Sequence, residues 1–271
     1  MLGLPGWPAR AQATAGTAAT AGMPIFDAHL HYSHDAWETL PPPAAIALLR
    51  RAGLKRAMVS SSSDEGTQKL HALAPELVLP VLRPYRTRGE ISTWVRDDSV
   101  IGHMQARLQR YRYGALGEYH VFGAEADLPV MRWVVKTARE RGLYLHSHSD
   151  AEAVERQFAQ DPAARILWAH SGFEPPAAVR AVLRRHKQLW CDLAFRSDPA
   201  PGGELDAAWR EAFLEFPDRF MVGTDTFTPE RWHYVIEHAN WARRWLAQLP
   251  LPVAEAIGWR NGERLFAQGL R

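Results

Sequence analysis

The chain has a single cysteine, Cys191, in 271 residues. One cysteine excludes an intramolecular disulfide and a cysteine-built zinc knuckle. Cys191 sits in Leu-Trp-Cys-Asp-Leu, which reads as a buried strand, so we expect a packed thiol rather than a nucleophile. Long hydrophobic runs are missing too. No stretch approaches the roughly 18 apolar residues that a membrane-spanning helix needs. Charge of one sign is scarce: the net charge is +2, with basic and acidic residues interspersed. That balance gives no electrostatic basis for nucleic acid or a membrane surface as a partner. The Gly-x-Ser-x-Gly elbow and the phosphate-cradling glycine loop are both absent. Ser171-Gly-Phe does not make such an elbow, and Ser60–Ser63 reads as a loop and pocket wall.

Hydrophobic residues make up 46% of the chain, normal for a globular protein. Tryptophan is abundant, at 11 residues, which points to an aromatic core and leaves room for a subunit contact in a homo-oligomer. Residues 1–22 are rich in Ala, Thr and Gly and lack periodicity, so they stand outside the fold. Leu2–Trp7, followed by Ala9-Arg-Ala11 and Ala11-Gln-Ala13, looks like the tail of an export signal with small-residue cleavage sites. Two readings follow: a periplasmic or otherwise exported protein, or a disordered arm on a cytoplasmic one.

From residue 23 to 271 we expect one domain. Short apolar runs at Ile25–His31, Ala57–Ser61, Leu77–Leu82, Ala115–Val121, Leu143–His148, Arg165–His170, Leu189–Ala194 and Phe220–Thr224 read as eight strands. Helical patterns lie between them: Pro41–Ala52, Asp64–Leu73, Leu128–Arg141, Asp150–Gln160, Pro175–Arg185, Leu205–Phe216 and Pro229–Ala247, with Glu255–Phe266 closing the chain. The longest insertion, Pro84–Arg112, is expected to hold helical turns beside the site. Strands alternating with helices predict a parallel sheet covered by helices. Eight units in about 250 residues predict an α/β fold of the closed (β/α)8 TIM-barrel type, the alternative being an open doubly wound sheet.

The chemistry lies at the strand ends. Residues i and i+2 of a strand share a face, so His29 and His31 on the first strand can bind one metal together. Alone this means little, since about 0.5 His-x-His pairs arise by chance at this histidine content. The other candidates add the weight. Glu118 lies on the fourth strand, His146 and His148 end the fifth, His170 ends the sixth and Asp225 ends the eighth. In a barrel all strand C-termini meet at one mouth, and closure makes the first and eighth strands neighbours. Imidazole nitrogen with carboxylate oxygen predicts a divalent transition metal, zinc first, with manganese, iron or nickel as alternatives; calcium would want oxygen alone.

These segments carry a resemblance. Phe26-Asp-Ala-His-Leu-His31, Leu116-Gly-Glu118, Leu143–His148, Trp168-Ala-His-Ser-Gly172, Gly223-Thr-Asp225 and Asn261-Gly-Glu-Arg-Leu-Phe266 resemble, in this order, the amidohydrolase superfamily of metal-dependent hydrolases, and most of all its amidohydrolase-related branch. The resemblance implies that His29, His31 and His170 are metal ligands, and that Asp225 is both ligand and proton shuttle. On the fifth strand it implies His148, counted from the helix-capping Gly142, with His146 as the alternative or as a partner behind the ligands. Much of the superfamily bridges two metals with a carboxylated lysine on the fourth strand, which this chain lacks. Some branches use a glutamate there, so Glu118 would bridge two ions, or else orient a ligand or substrate around one.

The implied reaction is attack of a metal-activated water on an ester, lactone or amide carbonyl, with Asp225 moving the proton. Arg83, Arg86 and Arg196 lie at the ends of the third and seventh strands. A guanidinium grips a carboxylate with two hydrogen bonds, so these arginines suggest a small acidic substrate. The competing reading pairs them with Glu90, Asp97 or Asp198. Tyr119, His120 and Trp232 are further candidates for the pocket wall. Other functions compatible with the scaffold are a metal-dependent decarboxylase, a phosphodiesterase of the deoxyribonuclease type and a ligand-binding barrel without catalysis.

Overall fold

Strand and helix alternate along the computed structural model as the hydrophobic runs demand. The structure describes residue 20 and residues 22–270, so the arm expected at 1–22 falls almost wholly outside the described residues. Eight strands form one sheet in sequence order: β1 (Ile25–Leu30), β2 (Leu54–Val59), β3 (Val78–Leu82), β4 (Ala115–His120), β5 (Tyr144–His148), β6 (Ile166–Trp168), β7 (Leu189–Asp192) and β8 (Phe220–Met221). Every neighbouring pair is parallel. The sheet closes where β1 meets the segment after β8. Ala28 N donates to Val222 O (2.9 Å), Asp225 N to His29 O (2.8 Å) and His31 N to Thr226 O (2.9 Å). The closed (β/α)8 barrel is therefore the fold, and the open sheet is excluded.

A helix follows each strand: α1 (Pro42–Arg51), α2 (Glu65–Leu73), α3 (Ser99–Arg110), α4 (Pro129–Arg141), α5 (Ala151–Gln160), α6 (Pro176–Arg185), α7 (Ala207–Glu215) and α8 (Val235–Leu246). Their ends obey local chemistry. Proline opens α1, α4 and α6, where its missing N–H costs nothing. The Asp150 and Asp206 carboxylates accept backbone N–H groups at the starts of α5 and α7. No helix among the described residues is long and apolar enough to cross a membrane.

Two expected helices differ in detail. The run predicted at Pro229–Ala247 splits into a short turn, Pro229–Trp232, and α8. The closing run is interrupted by a π-helical stretch at Ala256–Arg260. β6 and β8 are also shorter than the apolar runs suggest, and beyond them the backbone turns left-handed at His170 (φ 55) and Asp225 (φ 47).

The core has two parts. The larger fills the layer between sheet and helices, and Cys191 faces it, fully buried. Burial raises the pKa of that thiol, so it stays protonated and inert. The smaller cluster, including Phe26, Met58, Tyr144, Leu167, Trp190 and Met221, joins Phe266 at the chain's end. The terminal Asn261–Phe266 motif is explained here. Asn261 Nδ2 donates to the carbonyls of Pro217 and Phe220, both at 2.9 Å. Gly262 lies flat on the Phe26 ring, where a Cβ would come within 2.2 Å. The register of β1 against β2 shifts between Asp27 and Leu30. That is where the strand changes from apolar cluster residues, Phe26 and Ala28, to His29 and His31.

Candidate metal centre

His29 and His31 place their Nε2 atoms 3.1 Å apart. Each Nδ1 is already taken. His29 Nδ1 donates to Asp192 Oδ2 (3.1 Å), and His31 Nδ1 donates to the Ser60 carbonyl (2.6 Å). His170 follows the same rule, with Nδ1 donating to the Ala194 carbonyl (2.8 Å) and Nε2 lying 3.5 Å from Glu118 Oε1. When Nδ1 carries the proton, Nε2 of a neutral imidazole presents a lone pair. Three histidines are thus held through Nδ1 from behind, the arrangement that metal-binding histidines usually have.

The carboxylates complete the cluster. Asp225 Oδ1 lies 3.6 Å from His29 Nε2 and 3.4 Å from His31 Nε2. Glu118 lies 3.5 Å from His29 and 3.3 Å from His31. Glu118 is aimed inward by a register irregularity between Gly117 and Tyr119. Gly117 adopts φ 133, and a Cβ there would sit 2.1 Å from the His146 carbonyl, so only glycine permits this approach.

The two histidines of β5 do different things. His148 lines the mouth; its Nδ1 donates to Glu118 Oε1 (2.7 Å) and its ring stacks on His120 at 3.8 Å. His146 points into the barrel, where Nε2 donates to Asp192 Oδ2 (2.9 Å) while Nδ1 is buried with no hydrogen-bond partner.

Asp192, at the end of β7, was not singled out by the sequence reasoning, yet it organises the cluster. Oδ2 accepts from His29 and His146, and Oδ1 accepts from the backbone N–H of His170 (2.8 Å) and Ala194 (3.0 Å). The signal was present: an acid closing a buried strand at the depth of the other candidates. It was hidden because Leu-Trp-Cys-Asp-Leu drew attention to its cysteine.

The three candidate arginine anchors take different partners. Arg86 is held by Glu90 (2.8 Å), Asp97 (2.6 Å) and Ser99 (2.8 Å) and lies away from the cavity. Arg196 pairs with Asp198 and donates to the carbonyls of His170 and Glu174. In both, nearby acids at short sequence distance capture the guanidinium. Arg83 lines the cavity, but its Nη2 donates to Glu118 Oε2 at 2.6 Å. Among the pocket-wall candidates, His120 and Ser62 line the cavity. Tyr119 instead donates to Gln157, and Trp232 is buried against Tyr32.

Electrostatics bind the cluster together. Burial opposes charging His29, but the carboxylates of Glu118, Asp192 and Asp225 outweigh it and raise its pKa well above the ordinary value. Burial likewise opposes ionising Asp225, yet His29 and the His31 hydrogen bond hold its pKa down at about 2. Glu118 and Asp192 are also kept ionised against burial, chiefly by His29. Burial depresses His146 to about 4, so its ring is neutral.

This donor set fits a divalent cation. Two nitrogens each about 2.1 Å from one ion stand about 3.0–3.4 Å apart, which matches the His29–His31 separation. Two lone pairs facing each other at that distance need a proton or a cation between them. Glu118, Asp192 and Asp225 against Arg83 leave two negative charges, which one divalent ion cancels. His29, His31 and Asp225 form one group able to hold an ion, and Glu118 with His29 and His170, or with His120 and His148, forms others.

A model of the amidohydrolase family matches residues 26–268. The chain belongs to the amidohydrolase family. It is a metal-dependent hydrolase, and the family generally uses divalent metals. Solved structures agree on the fold. A TIM-barrel protein from Bordetella bronchiseptica is 16% identical, with a TM-score of 0.66 over 91% of this chain and 99% of its own. A candidate 2-pyrone-4,6-dicarboxylic acid hydrolase from Pseudomonas putida is 15% identical, with a TM-score of 0.60 over 91% and 98%. A TatD homologue from Escherichia coli K12 is 17% identical, with a TM-score of 0.59 over 92% and 99%. No curated relative matches by sequence.

Proposed function

We propose that this amidohydrolase cleaves an ester, lactone or amide bond of a small organic acid. The observation that carries the reading is the convergence of three histidine Nε2 atoms and two ionised carboxylates beside one cavity. That cavity has a volume of about 270 Å³ and is lined by His31, Glu118, His148, His170 and Asp225. In this reading His29, His31, His170 and Asp225 hold the metal, and Glu118 and His148 complete a second position or orient the first. His146 supports Asp192 from behind. Zinc is the expected ion.

A bound divalent ion would supply Lewis acidity, polarising the scissile carbonyl and acidifying a water. Asp225 accepts the proton of the attacking water, because its carboxylate is ionised at neutral pH and faces the histidines. It then returns that proton to the leaving group. The left-handed backbone at Asp225 (φ 47) is fixed by Arg231, whose Nε donates to the Asp225 carbonyl at 2.7 Å. Arg83, tied to Glu118, and Arg88, paired with Asp35, are the cations of the cavity wall that a substrate carboxylate would feel.

The mouth also favours an apolar face on the substrate. Phe173 and Phe195 are half exposed, and both hold φ 55. Left-handed backbone costs a non-glycine residue about 1–2 kcal/mol. Strained aromatics left in solvent on the wall of one cavity are worth keeping if a substrate covers them. The candidate hydrolase from Pseudomonas putida, named for a pyrone dicarboxylic acid, motivates including carboxylate-bearing cyclic esters among the compounds tested.

The test measures metal per chain by plasma mass spectrometry on wild type and on His29→Ala/His31→Ala, together with turnover on ester, lactone and amide panels. One or two ions lost in the variant, with wild-type hydrolysis of one panel, supports the reading. Two ions place Glu118 among the ligands; one ion leaves it as an orienting group. No ion after reconstitution with zinc and manganese overturns it.

A further inference from the structure

A second cavity lies behind the first. It has a volume of about 410 Å³ and is lined by the segments after β7 and β8 and by α8. Phe195 is shared by both cavities, so its ring forms part of the partition. Most of the lining is apolar: Leu193, Phe195, Val222, Trp241, Ala242 and Trp245. Two arginines, Arg196 and Arg231, also face it, and no carboxylate does among the described residues.

Arg231 is the unusual group. Nε and Nη2 donate to the carbonyls of Asp225 and Thr224, both at 2.7 Å, and Nη1 makes no hydrogen bond among the described residues. No acid pairs with it among the described residues, whereas Arg83, Arg86, Arg107 and Arg196 each have a carboxylate partner. Its guanidinium packs over the rings of Phe195 (4.8 Å) and Phe227 (5.5 Å), which removes water from its faces. A half-buried, unpaired guanidinium beside an apolar cavity favours an anion that brings its own apolar body. His238, on the same wall, has a buried Nδ1 with no hydrogen-bond partner among the described residues.

We propose that this cavity is a binding site, separate from the metal centre, for a small carboxylate with an aromatic or bulky aliphatic body. The carboxylate takes the free edge of Arg231. The body lies against Trp241, Trp245 and Phe195. Because the same guanidinium holds the Asp225 carbonyl, the site is one residue removed from the proton-shuttling carboxylate.

The experiment is calorimetric titration of the metal-loaded protein with 1-naphthoate, and with 1-naphthylmethanol as its neutral counterpart. Wild type should bind one naphthoate saturably, and the alcohol at least tenfold more weakly. Ala242→Phe, which fills the cavity, and Arg231→Gln, which removes the charge, should each weaken naphthoate binding at least tenfold. His29→Ala/His31→Ala, checked for a cooperative thermal transition, should retain it. Absence of saturable binding overturns the proposal. So does binding lost with the metal ligands but unchanged in Ala242→Phe and Arg231→Gln, which would place the ligand in the metal centre. Equal affinity for the alcohol overturns the anion class. Should Ala242→Phe fail to fold, Arg231→Gln still decides the question. None of these outcomes depends on turnover, so a failure here leaves the hydrolase reading untouched.

Discussion

The two ends of the barrel interior are built on opposite principles. At the end closed by the chain terminus, Phe26, Tyr144, Trp190 and Met221 pack with Phe266 into a dry apolar plug. At the other end the strands and the segments just after them carry His29, His31, Glu118, His146, His170, Asp192 and Asp225, all of them polar and all buried. The plug needs only shape. The polar end needs each group to be held by another, since a buried charge without partners costs several kcal/mol. Asp192, with four donors on two oxygens, is how that cost is met. The strain is also unevenly placed: among the described residues, the non-glycine residues with left-handed backbone are His170, Ser171, Phe173, Phe195 and Asp225, all around the polar end. Stability is concentrated at one end and chemistry at the other, as barrel enzymes arrange it.

Breaking the polar end should therefore change rate more than stability. Asp225→Asn keeps an oxygen donor for the ion but cannot take a proton. We expect turnover to fall on the order of 10³- to 10⁴-fold, about 4–5.5 kcal/mol of barrel-mouth chemistry. Metal content and melting temperature should stay near wild type. Steady-state kinetics with parallel metal analysis checks this, and a fully active variant would remove Asp225 from the proton path.

Breaking the plug should do the reverse. Phe266 is buried and packs on Phe26, with ring centroids 6.0 Å apart, and on Tyr144 at 4.9 Å. Phe266→Ala should cost about 3–4 kcal/mol of stability. In a chain of this size that corresponds to a melting temperature lowered by roughly 6–16 °C. Turnover per folded molecule should change less than twofold, because the ring lies at the far end from Asp225. A scanning melt beside active-site-normalised kinetics separates the two. A large loss of turnover with an unchanged melt would show that the ends are not independent.

The same division sets what was legible in the sequence. The barrel was readable because each strand is a short apolar run and each helix has its own start and stop chemistry, as at Pro129 and Gly142 of α4. His29 and His31 were readable because strand alternation fixes their common side. His170 and Asp225 were readable by strand-end position, although both lie beyond the strands proper, where local pattern says nothing about direction. The division of labour between His146 and His148 was not readable, since both share one face and depth alone separates them. The fate of Arg86 and Arg196 was half readable: Glu90, Asp97 and Asp198 are acids at short sequence distance and are the partners taken, but no local pattern decides between them and a substrate. The aromatic partition with Arg231 behind it joins the ends of β7 and β8 with α8, a juxtaposition that no sequence window contains.

The finest test of the contrast is Asp192→Asn, which alters support for the metal site without touching the cavity. The amide oxygen can still accept from the backbone N–H groups of His170 and Ala194. Its NH2 then faces His29 Nδ1 and His146 Nε2, which are themselves donors in the present arrangement. His29 must turn or change tautomer, and its Nε2 loses the lone pair that points at the centre. Partners of this kind typically affect metal affinity by about 10- to 100-fold. We expect that loss in a competitive zinc titration against a chromophoric chelator. The apo protein should melt close to wild type or slightly above it, since a buried carboxylate is replaced by a neutral group. Unchanged affinity would mean that His29 is oriented by the barrel wall alone, and that Asp192 serves the polar end only by neutralising it.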